Sequence, residues 1–263
     1  MSRRDIIFVG NARDYHAMDW YRSAQVVCAP RRLSFATDLV ESEGHVRLVR
    51  PDDDLLPLLN VDAFLLRGQS RIGNLWRNAV KFGVLPLQVR RLRVLHRQEP
   101  QATYHAHTMY YMVACWLADI PFVGTPQGSE ILVRPRRSRL YRWFATRALR
   151  AARAVTVDSE AMRVGVQALS GREAMVVQNG IDVAAVRDES AHGAVVPRSG
   201  ILSIRGLTPL YRIDTIVRAR NATPGAPPIT FVYPFWDEGA RGLVRAAMRP
   251  DDRDLGRLPK AEL

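Results

Sequence analysis

The chain has 263 residues, of which 47% are hydrophobic and 24% charged, and this composition excludes a largely disordered protein. It carries 38 Lys and Arg against 26 Asp and Glu, a formal net charge of +12. It has no apolar run of about 18 residues that could span a membrane. Cys28 and Cys115 are too few for a disulfide framework. The apolar run at residues 6–9 is too short for a secretion signal, so we expect a reducing, cytoplasmic compartment.

The positive charge combines a general arginine bias with two concentrated stretches. Only Lys81 and Lys260 are lysines, and all other Lys or Arg positions are arginine. Genome base composition alone can produce such a preference for arginine over lysine. Residues 63–98 and residues 131–157 each contain eight Lys or Arg and no Asp or Glu. Both stretches interleave cations with apolar residues at near-helical spacing, so each is either a solvated helix face or a surface for an anionic membrane. No nucleic-acid-binding motif accompanies the charge, which argues against nucleic acid as the partner.

Short apolar runs alternate with helical segments along the chain. Strands are predicted at residues 5–10, 61–66, 103–107, 121–125, 154–158, 174–178, 200–205 and 229–233. Helices are predicted at about residues 74–97, 109–117, 139–150, 160–168 and 213–220. This alternation predicts an α/β protein with an open parallel sheet covered by helices on both faces. Ligands of such sheets bind in the loops that follow the carboxyl ends of the strands.

Two of these loops lie in the first half of the chain. The first strand ends at Gly10-Asn11, where a glycine lets the backbone approach a ligand closely, although a simple turn explains it as well. His105 and His107 end the strand at residues 103–107, and residues two apart on a strand share a face. Both imidazoles could therefore line one pocket, or one of them could be structural. No third ligand at metal-binding spacing accompanies them, so we expect no metal.

Three further loops carry candidate residues. Gln127, Gly128, Ser129 and Glu130 follow the next strand, where Glu130 could accept hydrogen bonds from sugar hydroxyls or Ser129 could simply cap a helix. Asn179-Gly180 is a turn signal that closes the first region. Arg205 follows a later strand, with Arg212 seven residues on. This arginine either binds a phosphate in bidentate fashion or is one more surface cation.

In their order along the chain these segments resemble the GT-B glycosyltransferases of glycosyltransferase family 4. The resemblance is carried by HAH (105–107), TPQGSE (125–130), VTVDS (155–159), VVQNGIDV (176–183) and ILSIRGLTPLYRIDTIVRA (201–219). The region from NARDYHAMDWYR (11–22) to EILVRP (130–135) looks like members that act on bacterial surface polysaccharides. The resemblance covers most of the chain.

The resemblance implies two Rossmann-like domains and a retaining transfer without a metal. Residues 1–187 would form the acceptor-side domain, residues 188–199 a linker, and residues 200–263 the start of a truncated nucleotide-sugar-binding domain. A sugar would pass from a nucleotide-diphosphate sugar to a glycan or lipid-linked acceptor. Such an acceptor suggests peripheral contact with the anionic inner face of a membrane. The alternative is a non-catalytic homologue that docks on a membrane or a partner enzyme.

The resemblance also implies roles for individual residues. His107, His105 and Glu130 would be catalytic, with Gln127, Gly128 and Ser129 on the acceptor side. The donor would be bound by Gly10, Asn11, Asn179, Arg205 and Arg212. Three features depart from the family pattern: Gln127 replaces a histidine, Tyr211-Arg212 replaces a lysine before glycine, and a glutamate pair seven residues apart is missing after Arg205.

Overall fold

A computed structural model of the chain describes residues 4–39, 48–60, 71–178, 180, 183 and 199–258. The chain divides into two compact units, Met1–Ile181 and Asp182–Leu263. Asn179, the strand predicted at residues 61–66 and nearly all of the linker predicted at residues 188–199 lie outside the described residues.

The first unit is built on a seven-stranded parallel sheet. Its strands are β1 (Ile6–Val9), β2 (Leu33–Leu39), β3 (Leu55–Asn60), β4 (Thr103–His107), β5 (Phe122–Thr125), β6 (Ala154–Val157) and β7 (Met175–Val176). They lie in the order β3-β2-β1-β4-β5-β6-β7. The strand order reverses between β1 and β4, where Phe8 pairs with His105. Ligands of open α/β sheets bind at such a reversal, beyond the carboxyl ends of the strands.

Helices cover both faces of this sheet, as the strand and helix alternation predicts. The helices are α1 (Tyr15–Val27), α2 (Arg71–Gln98), α3 (Met109–Leu117), α4 (Gly128–Leu132), α5 (Arg134–Arg137), α6 (Arg139–Ala151) and α7 (Glu160–Ser170). On one face, Tyr21 of α1 packs over Phe8 and Phe35. On the other face, a larger core contains Leu92 and Met112 and joins α2, α3, α6 and α7 to the sheet. Within the part of the chain that the structure describes, no helix is long and apolar enough to cross a membrane.

Several elements of the first unit are absent from the sequence predictions. Helix α1 and strand β2 were not predicted, because their apolar residues are interrupted by polar and charged ones. Strand β3 was not predicted either; its residues LLPLLN are apolar, but Pro57 argues against a strand. Asp14 caps α1, since its side chain accepts a hydrogen bond from the backbone amide of His16. Parallel pairing places β2 between β1 and β3 despite its polar residues. Pairing and packing with distant segments therefore determine the structure of these segments more than their own sequence pattern does.

The second unit is a smaller parallel α/β layer. Its strands β8 (Ile201–Ser203), β9 (Ile229–Val232) and β10 (Arg253–Gly256) lie in the order β10-β9-β8. Helices α8 (Ile213–Asn221) and α9 (Glu238–Ala247) follow β8 and β9. Its core contains Leu207, Val217, Ile229, Phe231 and Val244. Strand β10 was not predicted, because two of its four residues, RDLG, are charged and all four are at least partly exposed.

A buried ion pair ties helix α8 to the segment before β10. The guanidinium of Arg220 forms a two-pronged hydrogen bond with the carboxylate of Asp252, and both side chains are at most 2% exposed. Asp252 also accepts hydrogen bonds from the amides of Ile229 and Arg249, each at 2.7 Å. Burial alone would raise the pKa of Asp252, but these donors lower it below its ordinary value. The charge is thus fully compensated inside the unit.

Candidate functional site

The carboxyl ends of β1 and β4 meet at the strand reversal, the place where open α/β sheets form their ligand crevice. Gly10 follows β1, and a Cβ built on it would lie 3.1 Å from the Phe35 ring and 3.6 Å from the Cβ of His107. The missing side chain therefore lets β1 end directly against Phe35 and His107. The absence of a side chain at Gly10 therefore directly affects how His107 packs.

The loop after Gly10 is held by its own hydrogen bonds. The side-chain oxygen of Asn11 accepts from the amide of Arg13 at 3.0 Å and from its Nε at 3.3 Å. The amide of Ala12 donates to the hydroxyl of Thr37 at the end of β2, also at 3.0 Å. Asn11 therefore shapes the loop that follows β1.

His105 lies below the mouth of the crevice, on the face of the sheet that α1 covers. Its Nε2 lies 2.7 Å from the hydroxyl of Thr125, which in turn lies 2.5 Å from the hydroxyl of Thr156. The ring packs against Phe8 and Trp20, with centroids 4.6 Å and 5.6 Å apart. Burial lowers the pKa of His105 to about 4. The imidazole is therefore neutral at physiological pH and is positioned by the strand next to it.

His107 lies on the same face of β4 at the very end of the strand, as the two-residue spacing predicts. It is 3% exposed, and its Nδ1 has no hydrogen-bond partner among the described residues. Burial first, and then the neighbouring His105, lower its pKa to about 4, against the opposing effect of Asp14. Buried polar groups in proteins are almost always paired, so this buried imidazole nitrogen at the end of β4 is a candidate to bond an ordered water or a ligand.

Thr108 follows His107 with a backbone φ of 77°, which is rare and costly for a β-branched residue. Its amide donates to the carbonyl of Thr125 at 2.9 Å, and its carbonyl accepts from the amide of Met112 at 3.1 Å. These bonds fix the step from β4 into α3 and thereby the position of His107. Strained residues of this kind cluster at functional sites. Nothing in the sequence identifies this conformation.

Glu130 has a different environment from the one expected for a sugar-binding carboxylate. It is 4% exposed, and its Oε2 accepts from the amides of Met109 and Gln127 at 2.8 Å and 2.9 Å. Its Oε1 lies 3.7 Å from a guanidinium nitrogen of Arg134. Glu130 therefore joins the amino-terminal ends of α3 and α4.

The prediction that Ser129 caps this helix is wrong. Helix α4 begins at Gly128, and Gln127 is its cap in a capping box with Glu130. The Gln127 side chain also donates from Nε2 to Oδ2 of Asp14, at 2.9 Å. Gln127, Gly128 and Ser129 thus lie at the carboxyl edge of the sheet, and Gln127 ties this turn to the start of α1. Asp14 was not singled out in the sequence, although its position before a helical run is typical of a helix cap.

A second polar group ends β2 at the same edge of the sheet. Oδ2 of Asp38 accepts from the Nε2 of Gln88 at 2.6 Å, and the hydroxyl of Tyr110 donates to the Oε1 of Gln88 at 2.5 Å. Burial first, and then the charge of Asp38, raise the pKa of Tyr110. Polar side chains from α2 and α3 therefore extend the crevice edge. Sequence reasoning missed this group, because its members are far apart in the chain.

In the second unit, Arg205 and Arg212 lie at the carboxyl edge of the sheet. Arg205 is exposed, and its guanidinium carbon lies 5.7 Å from the centroid of the Tyr211 ring. Arg212 immediately precedes α8 in a left-handed conformation, and its Nη2 donates to the hydroxyl of Thr215 at 3.2 Å. No carboxylate among residues 199–258 forms an ion pair with either arginine. Both guanidinium groups can therefore meet an anion.

The glycine after Arg205 has a packing role. A Cβ on Gly206 would lie 2.3 Å from the ring of Phe235, so a side chain at this position would have to displace that ring. Leu207 pairs with Trp236 in the loop after β9. These contacts fix the loop that carries Arg205. Among the described residues, no group of three or more His, Cys, Asp or Glu side chains could hold a metal ion.

Structural comparison finds the same fold in enzymes that act on sugars. HepE from Anabaena, solved with UDP, has a TM-score of 0.65 at 16% identity, over 97% of this chain and 69% of that one. Sucrose-phosphate synthase from Thermosynechococcus elongatus has a TM-score of 0.68 at 13% identity, over 99% and 72%. The lipopolysaccharide outer core galactosyltransferase WaaB has a TM-score of 0.60 at 10% identity, over 97% and 68%. These likenesses confirm the GT-B type α/β fold.

The family follows from the sequence of the first unit. A comparison with curated proteins finds no significant match. Residues 33–185, more than half of the chain, match the model of Glycosyltransferase Family 4. The chain therefore belongs to Glycosyltransferase Family 4, as its ordered motifs predict.

Proposed function

We propose that the protein transfers a sugar from a nucleotide-diphosphate sugar to a glycan or lipid-linked acceptor. The reaction would retain the anomeric configuration, need no metal and serve the synthesis of a bacterial surface polysaccharide. The observation that carries the proposal is the pair Arg205 and Arg212, which meet no carboxylate among residues 199–258 at the carboxyl edge of the second sheet. HepE, which shares the fold, was solved with UDP.

The donor diphosphate fits these two arginines chemically. A guanidinium binds phosphate oxygens through two parallel hydrogen bonds, which a lysine cannot do. The leaving nucleotide diphosphate gains negative charge as the glycosidic bond breaks, so a fixed cation stabilises the transition state more than the ground state. Arg205 lies over the Tyr211 ring, which limits its freedom before the donor binds.

The sugar or the acceptor fits the crevice of the first unit. The neutral His107 offers an unpaired nitrogen, which can form one hydrogen bond with a hydroxyl without the cost of a buried charge. His105 and Glu130 would contribute by holding the surrounding segments in place. His105 already bonds to Thr125, and Glu130 accepts hydrogen bonds from backbone amides at the starts of α3 and α4. Gly10 and Asn11 form the adjoining loop. The catalytic contribution of the first unit would thus centre on His107.

Titration calorimetry with UDP and a panel of nucleotide-diphosphate sugars tests this proposal. The wild-type protein should bind at least one of these donors, and Arg205→Ala should weaken binding by roughly tenfold to a hundredfold, the value of a charge-assisted pair. Arg253→Ala is the matched control, because Arg253 is an exposed arginine on β10. Absence of binding to every donor, or equal losses in both variants, would contradict the proposal.

The proposed lipid-linked acceptor adds a requirement for contact with a membrane. Such an acceptor stays in the bilayer, so the enzyme must approach the lipid headgroups. The lipopolysaccharide outer core galactosyltransferase shares the fold at 10% identity. We therefore include peripheral contact with an anionic membrane in the proposed function.

A further inference from the structure

Most of the described residues in the two basic stretches lie in one layer of helices. Helix α3 packs against both α2 and α6. On one side of it, Nη2 of Arg93 in α2 donates to the carbonyl of Leu117 at the end of α3, at 2.7 Å. On the other side, the rings of Trp116 in α3 and Trp143 in α6 lie 5.8 Å apart. Helices α2, α3 and α6 therefore lie side by side, and α5 packs against α6. The exposed residues of these four helices are called the basic face below.

The basic face carries a high density of cations. Its exposed arginines are Arg90, Arg91, Arg93, Arg97, Arg136, Arg137, Arg139, Arg142, Arg147 and Arg150. Within the described ranges, none of these forms an ion pair with a carboxylate. Asp119, just after α3, is an exposed acid at its border. In the part of the chain that the structure describes, these arginines therefore remain available to an external anion.

Apolar side chains lie among these arginines. Trp143 and Leu140 of α6 are 48% and 61% exposed, and Phe82 and Leu87 of α2 are 61% and 53% exposed. The guanidinium carbon of Arg147 lies 5.6 Å from the centroid of the Trp143 ring. One side of α6 forms an open groove of about 320 Å³ lined by Arg139, Arg142, Trp143, Thr146, Arg147 and Arg150. Arginine stems and a tryptophan together suit the boundary between headgroups and acyl chains.

We propose that the basic face docks on an anionic lipid bilayer, with α6 lying in the plane of the headgroups. This inference rests on the proposed function, since it names the surface that brings the enzyme to a lipid-linked acceptor. Ten exposed arginines attract anionic headgroups. The exposed Leu140, Phe82 and Leu87 gain by leaving water for the acyl boundary. A nucleic acid would use the charge but leave Leu87 and Leu140 in water, so the observations favour lipid.

Sedimentation of the full chain with lipid vesicles tests this proposal. The protein should bind vesicles of mixed phosphatidylglycerol and phosphatidylcholine, with an affinity that falls as salt rises, and should bind pure phosphatidylcholine vesicles much more weakly. Arg142→Gln with Arg147→Gln should lower the partition coefficient roughly thirtyfold, from the usual contribution of one arginine near an anionic surface. Trp143→Ala should lower it severalfold while leaving its salt dependence unchanged.

A control with the same change of charge separates location from total charge. Arg31→Gln with Arg253→Gln also removes two exposed arginines, but neither lies on the basic face, and this double variant should retain nearly all vesicle binding. Thermal unfolding of each variant shows whether it is folded.

Three outcomes would overturn the proposal: no anionic vesicle binding, equal loss in the two double variants, or tighter binding to duplex RNA than to vesicles.

Titration with UDP keeps this inference separate from the proposed function. The Arg142 and Arg147 double variant should bind UDP as the wild-type protein does, because these residues lie on α6 of the first unit. Loss of vesicle binding with intact UDP binding supports the docking surface. Failure to bind UDP with intact vesicle binding would instead contradict the proposed transfer reaction.

Discussion

Acidification should destabilise the first unit through the buried His105. The imidazole has a pKa of about 4 in the folded protein, lowered by burial, and an ordinary value of 6.5. The unfolded chain therefore binds a proton more readily than the folded one below about pH 6.5. Above that pH the ring is neutral in both states and does not reduce the free energy of unfolding. As the pH falls toward about 4, protonation of the unfolded chain lowers the free energy of unfolding. The direction is thus lower stability in acid.

The magnitude follows from the difference between the two pKa values. Between about pH 7.5 and about pH 5, proton linkage at His105 should lower the free energy of unfolding by about 2 kcal/mol. His105→Asn removes this titration, so the variant should lose about 2 kcal/mol less than the wild-type protein over the same interval. Urea unfolding followed by tryptophan fluorescence measures the difference, because four of the five tryptophans belong to the first unit.

A packing variant provides the control for this experiment. Phe8→Leu weakens contacts with the His105 ring, whose centroid lies 4.6 Å from that of Phe8, without removing a titrating group. It should cost about the same free energy at both pH values. If His105→Asn showed the wild-type pH dependence, His105 would not be buried in its neutral form and the reasoning would be refuted.

Three other substitutions test the architecture by urea unfolding or hydrogen exchange. Asp252→Ala should destabilise the second unit by about 3–5 kcal/mol, because it leaves the buried guanidinium of Arg220 unpaired. The control Asp251→Ala removes an exposed carboxylate and should change the stability little. Equal effects of the two substitutions would contradict this. Gly10→Ala should cost about 1–3 kcal/mol through overpacking, whereas Gly83→Ala, in open space on a helix, should stabilise by up to about 1 kcal/mol; a neutral Gly10→Ala would refute the close approach. Glu130→Ala should cost about 1–3 kcal/mol because two buried amides lose their acceptor, and an unchanged stability would argue against that structural role.

Local pattern predicts the central strands and the helices that follow them. Strands such as β1 are short apolar runs that are mostly buried, and α3 occupies the nine residues that its pattern predicts. Helix α1 and strand β10 escape prediction because pairing and packing with distant segments outweigh their polar residues. The order of motifs, more than any one of them, identified the family.

The candidate site divides in the same way. The two-residue spacing of His105 and His107 correctly places both rings on one face of β4. It does not show that one ring bonds to Thr125 while the other keeps an unpaired nitrogen, since this depends on neighbouring strands. The contact between Gln127 and Asp14 joins residues 113 positions apart, so no local signal could reveal it.

The most direct test of the central claim is to follow the anomeric proton of the sugar by NMR while the enzyme acts on nucleotide-diphosphate sugars with lipid extract as acceptor. We expect release of the nucleoside diphosphate and a product with the anomeric configuration of the donor. Both should be strongly reduced in Arg205→Ala and retained in Arg253→Ala. No release from any donor, or a product of inverted configuration, would contradict the proposed reaction.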